Sequence, residues 1–429
     1  MKNSARFLSI AGTLCILTFS FVGCSSGEIE FTINNDSQTD REDEPIVITR
    51  QQIEEKGSIP NNQVPLPYLN EEALPAQVDD IDSDGSWDEL AFTINLASEE
   101  NATINIRFVN AADYPEFTSR TNVRFGVLED SGVRAVEELT MTADELPVPL
   151  FERFQMDGPA WENDKIGFRQ YIDGRNGRDL YGKTSPEMAL DTVGLSDDGK
   201  LVDNYHVMLP WGRDILAVGN SLGLGGLALL ENSTPTRLGI RLDASRNNID
   251  TTKYQLITEG PVRSVFRLTY TGWNVGDRKL NLTNEVSIWA GKYGHANKVQ
   301  LTNSESADTL IVGLVNIHND NPPELLEDQA SGLSAFLTHD QQTYDKEWFL
   351  GMALIFPNES FLEYRKAPES GLGITNSYFT LFEMEEEQTL EYHVFAGWEL
   401  SDERFTDAEY FREFITEEMQ KIAEPLQIQ

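Results

Sequence analysis

Between Lys165 and Lys183 the sequence KIGFRQYIDGRNGRDLYGK carries Lys165, Arg169, Arg175, Arg178 and Lys183 against only Asp173 and Asp179. The chain as a whole is strongly acidic, with 33 Lys and Arg against 71 Asp and Glu, so a stretch of this length would ordinarily hold roughly one or two basic side chains. Tyr171 and Tyr181 are interleaved with the cations. Guanidinium groups fork onto a carboxylate or sulfate, and flat rings stack on a sugar face, so this composition supplies the parts of an anionic carbohydrate site. The alternative is that the five cations pair with the acidic surplus around them and serve only the fold.

The chain has five histidines, few enough to weigh singly as proton-transferring bases near neutral pH. His206 stands out in YHVMLPWGRD, a strand-like run leading into a turn that bears Trp211, Arg213 and Asp214. His318, in NIHND, lies where TLIVGLVNI runs out into a Pro-rich loop, and strand ends are where sites collect. His393 alternates with Tyr392 and Phe395 inside a strand and reads as structural, whereas His295 and His339 fall in polar turns and read as exposed.

Asp80, Asp82, Asp84 and Asp88, around Gly85 in DDIDSDGSWDEL, match the front half of a calcium loop. Ala91 stands where an EF-hand needs its bidentate glutamate, so the expectation is a D-x-D-x-D-G loop before the strand ELAFTINL, holding structural calcium; the alternative is a solvated Asp-rich turn. The glycine-rich VGNSLGLGGLALL, residues 218 to 230, lacks the Lys-Ser/Thr of a phosphate loop, and its glycines read instead as close strand packing or a bulge. His-Glu-x-x-His does not occur, which leaves a zincin reading without support.

Lys2 and Arg6 precede an apolar run from Phe7 to Val22, and Phe21-Val22-Gly23-Cys24 has the form of a bacterial lipobox. Residues 1 to 23 are therefore expected to be a cleaved signal, with Cys24 acylated and tethering the protein to the outer membrane. Cys15 and Cys24 are the only cysteines, so no disulfide is expected and stability must come from core burial. Loss of the signal leaves 31 basic against 71 acidic side chains, a net charge of −40, which makes nucleic acid an improbable partner. Residues 24 to 44 are polar and charged and read as a flexible tether.

From Pro45 onward, short alternating runs such as IVITRQQI, ELAFTINL, SVFRLTY, LTNEVSIWA and LEYHVFAGW are separated by Gly, Asn, Asp and Pro clusters, the pattern of strands. One helix stands out, AEYFREFITEEMQKIAEPL, with Thr406 and Glu409 as a capping box and Pro425 as its stop. No internal repeat supports a propeller.

The segments DDIDSDGSWDELAF, AWENDKIGFRQYIDGRNGRDLYGK, WGRDILAVGNSLGLGGLALL, GPVRSVFRLTYTGW and IVGLVNI, in this order, resemble the domain of unknown function 4861 family of Bacteroidetes lipoproteins, across most of residues 45 to 400. That family is associated with polysaccharide-utilisation loci. The resemblance implies an oligosaccharide dehydratase acting in ulvan breakdown, which removes water from a non-reducing-end uronic acid to leave a 4,5-unsaturated residue. No catalytic assignment comes with the resemblance, so the site is chosen from chemistry. The C5 proton beside a carboxylate becomes acidic only when that charge is neutralised, a base must reach C5, and an acid must protonate the departing 4-hydroxyl. His206 is the expected base and Asp214 its orienting group; Tyr171 or Tyr181 is the acid, Lys183 assists, and His318 is a second imidazole candidate. Arg169, Arg175, Arg178 and Arg213, with Trp161 and Trp211, are the expected substrate-binding groups. The alternatives are a non-catalytic anionic-glycan-binding lipoprotein, a polysaccharide lyase and an epimerase. The fold expected is all-β: an N-terminal β-sandwich over 45–120 and a large mutarotase-like β-supersandwich over 121–429 with one C-terminal helix.

Overall fold

The computed structural model describes residues 28–145, 153–172, 175–239, 247–304 and 308–429. The expected signal and Cys24 lie outside them. The fold is all-β, as the alternating runs require.

In the N-terminal body, a five-stranded sheet ordered Gln427–Ile428, Ile29–Asn34, Asn101–Asn110, Gln63–Leu69 and Glu72–Ala73 faces a three-stranded sheet of Arg41–Thr49, Glu89–Leu96 and Ala76–Asp79. Ile33, Ile48, Phe92 and Ile104 are buried together between them. The tether expected over 24–44 is thus corrected from Ile29 onward: Ile29, Phe31 and Ile33 alternate inward, and their strand pairs along its length with Asn101–Ile106. A helix missed in the sequence follows Thr49. α1 (Arg50–Lys56) starts with a capping box in which the Thr49 hydroxyl accepts from Gln52 N and the Gln52 side chain accepts from Thr49 N.

The larger body opposes one wide sheet to two narrower ones. The nine-stranded sheet runs in space Glu138–Thr142, Thr251–Glu259, Arg263–Val275, Arg278–Trp289, Gly294–Thr302, Thr389–Trp398, Leu350–Pro357, Leu333–Asp340 and Glu324–Asp328. Against it lie two five-stranded sheets. The first, called the site sheet below, is ordered Gly212–Asp214, Arg178–Lys183, Ile166–Gln170, Ala160–Asn163 and Thr121–Arg124. The second is built around Leu224–Glu231, Asp308–Val315 and Ser377–Met384. A bridge between Arg178 and Gly223 joins them, and Gly223 takes φ +70 where any Cβ would strike the Arg178 carbonyl. The bulge read from the glycine run is present just beyond, between Leu224 and Gly226. One core, including Trp161, Phe168, Leu268, Val286, Leu310 and Val394, fills the space between the layers.

α2 (Ala408–Ala423) lies on the far side of the nine-stranded sheet, burying Phe411, Ile415 and Met419 against Ala353, Ile355 and Phe395. The expected capping box is replaced by Asp407, whose carboxylate accepts from Glu409 N at 2.8 Å, while the Thr406 hydroxyl donates to Glu403 O. Two glycines admit this helix and the 3-10 turn Glu403–Thr406 before it. A Cβ on Gly351 would lie 2.5 Å from the Phe411 ring, and one on Gly397 2.5 Å from Phe405. Gly351→Ala is therefore expected to destabilise the protein by about 1–3 kcal/mol through overpacking, read as a lower urea midpoint at unchanged slope. An unchanged midpoint would show that the helix is not seated on this notch.

Candidate functional site

Strand parity sorts the basic segment onto two faces. Arg169 stands directly opposite Asp179, and Tyr181 opposite Asp214, so these four share the outer face of the site sheet with Glu162 and Lys183. Trp161, Phe168, Leu180 and Arg178 project the other way, toward the nine-stranded sheet.

Arg169 is the hub of the outer face and only 2% exposed. Its Nη2 donates to Asp179 Oδ2 at 2.6 Å, to Asp214 Oδ2 at 2.8 Å and to the Tyr171 hydroxyl at 2.6 Å; Nη1 donates to the Tyr205 hydroxyl at 2.9 Å. The guanidinium lies 4.5, 5.4 and 4.9 Å from the ring centroids of Tyr171, Tyr181 and Tyr205, a three-sided aromatic box. Tyr171 donates its hydroxyl proton to Asp179. Burial raises the Asp214 carboxyl well above its usual range, and the neighbouring Asp179 charge adds to the rise.

His206 sits above this cluster in a turn rather than the expected strand, with its side chain 42% exposed. Nδ1 lies 3.4 Å from Asp214 Oδ2, and Nε2 lies 2.9 Å from Asp203. The expected pairing of His206 with Asp214 is present, and the same Asp214 oxygen also accepts from Arg169. Tyr344, 51% exposed, places its ring 6.2 Å from the imidazole. Its loop is tied down by the Tyr344 N–H bond to Ile215 O at 2.8 Å.

Segment 184–211 covers the sheet and carries His206. Glu162 holds it: one carboxylate oxygen accepts from Ala189 N at 2.6 Å and Leu190 N at 2.8 Å, and the other pairs with Lys183. The Gln155 amide donates to Leu190 O and Val193 O.

The structure brings together Arg169, Tyr171, Arg175, Tyr181, His206, Trp211 and Asp214. Arg175 lies at the margin, 14% exposed at its side chain, with its guanidinium 3.6 Å from the Tyr171 ring centroid. Asp157 bridges it to Arg169, at 3.7 Å from each. Trp211 is half-buried, 5.7 Å from Tyr181. Other expectations are corrected. Trp161 is a core residue stacked on Phe168. Arg178 is buried between the layers, bonded to Gln170, Asn297 and Tyr392. Arg213 turns toward Asp345 and Glu347 beside Trp348. Lys183 is enclosed by Glu162 and Glu187 O, and His318, in the turn after Val315, shares no bond or ring contact with the cluster among the described residues. Tyr171 and Tyr181 are both buried, and burial raises both phenols well above their usual range, so they wall the cation in place of the acid role expected of them. Two further histidines read as exposed are buried: His295 packs on Trp161 and Phe168, and His339 Nε2 lies 2.8 Å from Phe405 O. Tyr205, Asp179, Asp157 and Tyr344 were missed; Asp179 and Tyr205 were adjacent to chosen residues and signalled only by that.

In the Asp-rich loop, carboxylate oxygens of Asp80, Asp82 and Asp88 converge within 4.8 Å of one another, a set of hard oxygens suited to calcium. Asp84 turns away and accepts from Ser86 N, so it leaves the expected set. Backbone N–H groups of Ile81, Asp84 and Gly85 already bond the remaining carboxylates, so the turn is formed by the chain itself.

The family described as "Domain of unknown function (DUF4861)" matches residues 33–428. "Uncharacterized protein P7" of Formosa agariphila is 24% identical over 382 residues, spanning 83% of this chain and 81% of that protein. Among solved structures, an alpha-mannosidase from Enterococcus faecalis is similar at 9% identity and a TM-score of 0.46, over 94% of this chain and 46% of that one. A glycosyl hydrolase family 38 protein of the same organism is similar at 10% identity and the same TM-score, over 94% and 47%. The chain thus spans about half the length of these two structures.

Two substitutions separate the roles on the outer face. Glu162→Ala leaves the Lys183 ammonium buried without its carboxylate and is expected to cost about 3–5 kcal/mol. Among the described residues the buried Tyr181 hydroxyl has no hydrogen-bond partner, so Tyr181→Phe is expected to melt at the same or a higher temperature. Thermal melts of both variants check the assignment; a strongly destabilised Tyr181→Phe would contradict it.

Proposed function

We propose that this chain, which belongs to the DUF4861 family, is a carbon–oxygen lyase that removes water from the non-reducing-end uronic acid of ulvan-type oligosaccharides. The observation that carries the reading is the half-exposed His206 imidazole backed by a buried carboxylate, Asp214, which is itself fixed by Arg169. Substrate that displaces the exposed Asp203 carboxylate, 2.9 Å from Nε2, frees that nitrogen as a base, and the Asp214 carboxylate behind Nδ1 steadies the imidazolium that forms.

In the proposed step Nε2 takes the C5 proton, the electron pair closes the C4–C5 double bond, and the C4–O bond breaks. The departing oxygen takes a proton and leaves as water. Tyr344 is the exposed phenol beside the imidazole and replaces the buried tyrosines as the acid. Arg175, at the margin on the Tyr171 face, is the cation proposed to hold the substrate carboxylate. A second reading has its own support: Arg169 and Lys183 are matched internally by Asp179, Asp214 and Glu162, which suits a protein that binds an anionic glycan without transforming it. The proposal includes export and a lipid anchor at Cys24 on the outer membrane. Among the described residues no helix is long and apolar enough to cross a membrane.

The test is incubation of the protein with defined uronic-acid-ended oligosaccharides, following the unsaturated chromophore and the loss of one water at constant chain length. His206→Ala is expected to lower the rate by roughly 10²–10⁴-fold, Asp214→Asn to lower kcat, and Arg175→Ala to act mainly on KM. Binding without an unsaturated product selects the second reading, and chain shortening indicates a polysaccharide lyase. We further propose structural calcium at Asp80, Asp82 and Asp88. Chelation is then expected to lower the melting temperature by a few degrees and added calcium to restore it; an identical melt with and without chelator removes calcium from the account.

A further inference from the structure

We infer that the cleft between the N-terminal body, α2 and the outer face of the nine-stranded sheet is a second binding site, for a neutral hydroxylated ring the size of one sugar unit. Its cavity measures 530 Å³, inside the range of roughly 300–1,000 Å³ that small-molecule sites occupy, and it lies at a junction between bodies, where such sites collect.

Register builds its floor. Ser287, Ala296 and His393 stand opposite one another across three neighbouring strands, so two small side chains leave room beside an imidazole. In the next row Glu285, Lys298 and Glu391 stand opposite one another, placing one ammonium between two carboxylates. Trp289 lies along the same strand as Ser287, its ring steadied by the Arg263 guanidinium at 5.2 Å. Pro45 and Ile81 from the N-terminal body and Ile422 from α2 complete the walls.

Charge selects the ligand. Arg263 is paired with Glu89 at 2.7 Å, Lys292 with Glu44 at 2.8 Å and Lys421 with Glu418 at 2.8 Å, so these ions clamp the walls. What remains facing the cavity is Lys298 between Glu391 and a Glu285 that Arg267 pairs at 2.7 Å, with His393 3.8 Å from Glu391. The row thus alternates two cations with two carboxylates and offers an anion no net positive charge. A neutral polyol uses both kinds of group, its hydroxyls donating to carboxylates and accepting from the ammonium, with the Trp289 ring available for its apolar face. This inference stands apart from the reading of His206.

Saturation-transfer NMR on the full chain with glucose, xylose and glucuronate tests it. The neutral sugars are expected to receive saturation in the wild type and in His206→Ala. Glu391→Gln and Lys298→Met should each bring that signal to background; both side chains are exposed, so these variants keep the fold. Trp289→Ala should do the same. No signal from either neutral sugar, a stronger signal from glucuronate, or a neutral-sugar signal that survives all three cleft variants would overturn the proposal.

Discussion

Arg169 is withdrawn from water beneath Tyr205 and the covering segment, where a guanidinium without anionic partners would cost several kcal/mol. Asp179, directly opposite on the neighbouring strand, supplies one partner, and Asp214, one strand further, supplies the other. These two bonded carboxylates already overshoot neutrality on one cation, and Asp157, 3.7 Å away, is shared with Arg175. The excess is relieved in two ways: the Tyr171 hydroxyl donates to Asp179, and the affinity of Asp214 for a proton rises. His206 approaches the same Asp214 oxygen, so a positive charge on the imidazole meets an anion already oriented by Arg169. The half-exposed imidazole is therefore held between this buried ion cluster at Nδ1 and the exposed Asp203 carboxylate at Nε2, and the cluster is its rigid support.

Alternation made most strands of the larger body legible, because one face of each meets the common core. It was overlooked at the start of the chain, where the charged composition of 24–44 outweighed the inward series Ile29, Phe31 and Ile33. α1 was hidden in the same way: Thr49 and Gln52 spell a capping box, yet the apolar run IVI before them extended the strand reading through it. The basic segment was legible as a cluster but not as a surface. All six residues of Arg178–Lys183 are buried, so neither face announces itself as interior, and a shift of one residue decides whether Arg178 or Asp179 joins Arg169. His295 and His339 eluded sequence reasoning because the groups that bury them, Trp161, Phe168 and Phe405, are distant in the chain.

The two bodies are joined by charge as much as by apolar contact. Arg263 pairs with Asp79 and Glu89, Arg120 bridges Asp43 to Asp164, and Arg41 donates to the carbonyls of Lys421 and Glu424 at the end of α2. The C-terminal strand Gln427–Ile428 then closes on Ile33 and Asn34, so the last residues of the chain belong to its first sheet. In a protein of net charge −38, scarce arginines at this junction neutralise acids across it: Arg120 takes one acid from each body, and Arg263 takes two from the N-terminal body. The clamp holds the walls of the cleft apart by fixed ion pairs and leaves the floor to side chains of the sheet.

The covering segment shows how far the outer face is prepared for His206. Glu162 faces four N–H donors, two from the backbone of Ala189 and Leu190, one from Lys183 and one from the Asn122 amide. A carboxylate so placed satisfies backbone groups that a loop lying over a sheet would otherwise bury unpaired. From that anchor the chain runs to Tyr205, whose hydroxyl accepts from Arg169, and one residue later to the imidazole. Segment 184–211 is thus pinned to the sheet at Glu162 and again at Arg169, and His206 follows directly on the second pin. The ion pair of Lys183, chosen from sequence as a reacting group, acts upon the site through this anchorage, holding the cover in place so that Asp214 and His206 meet.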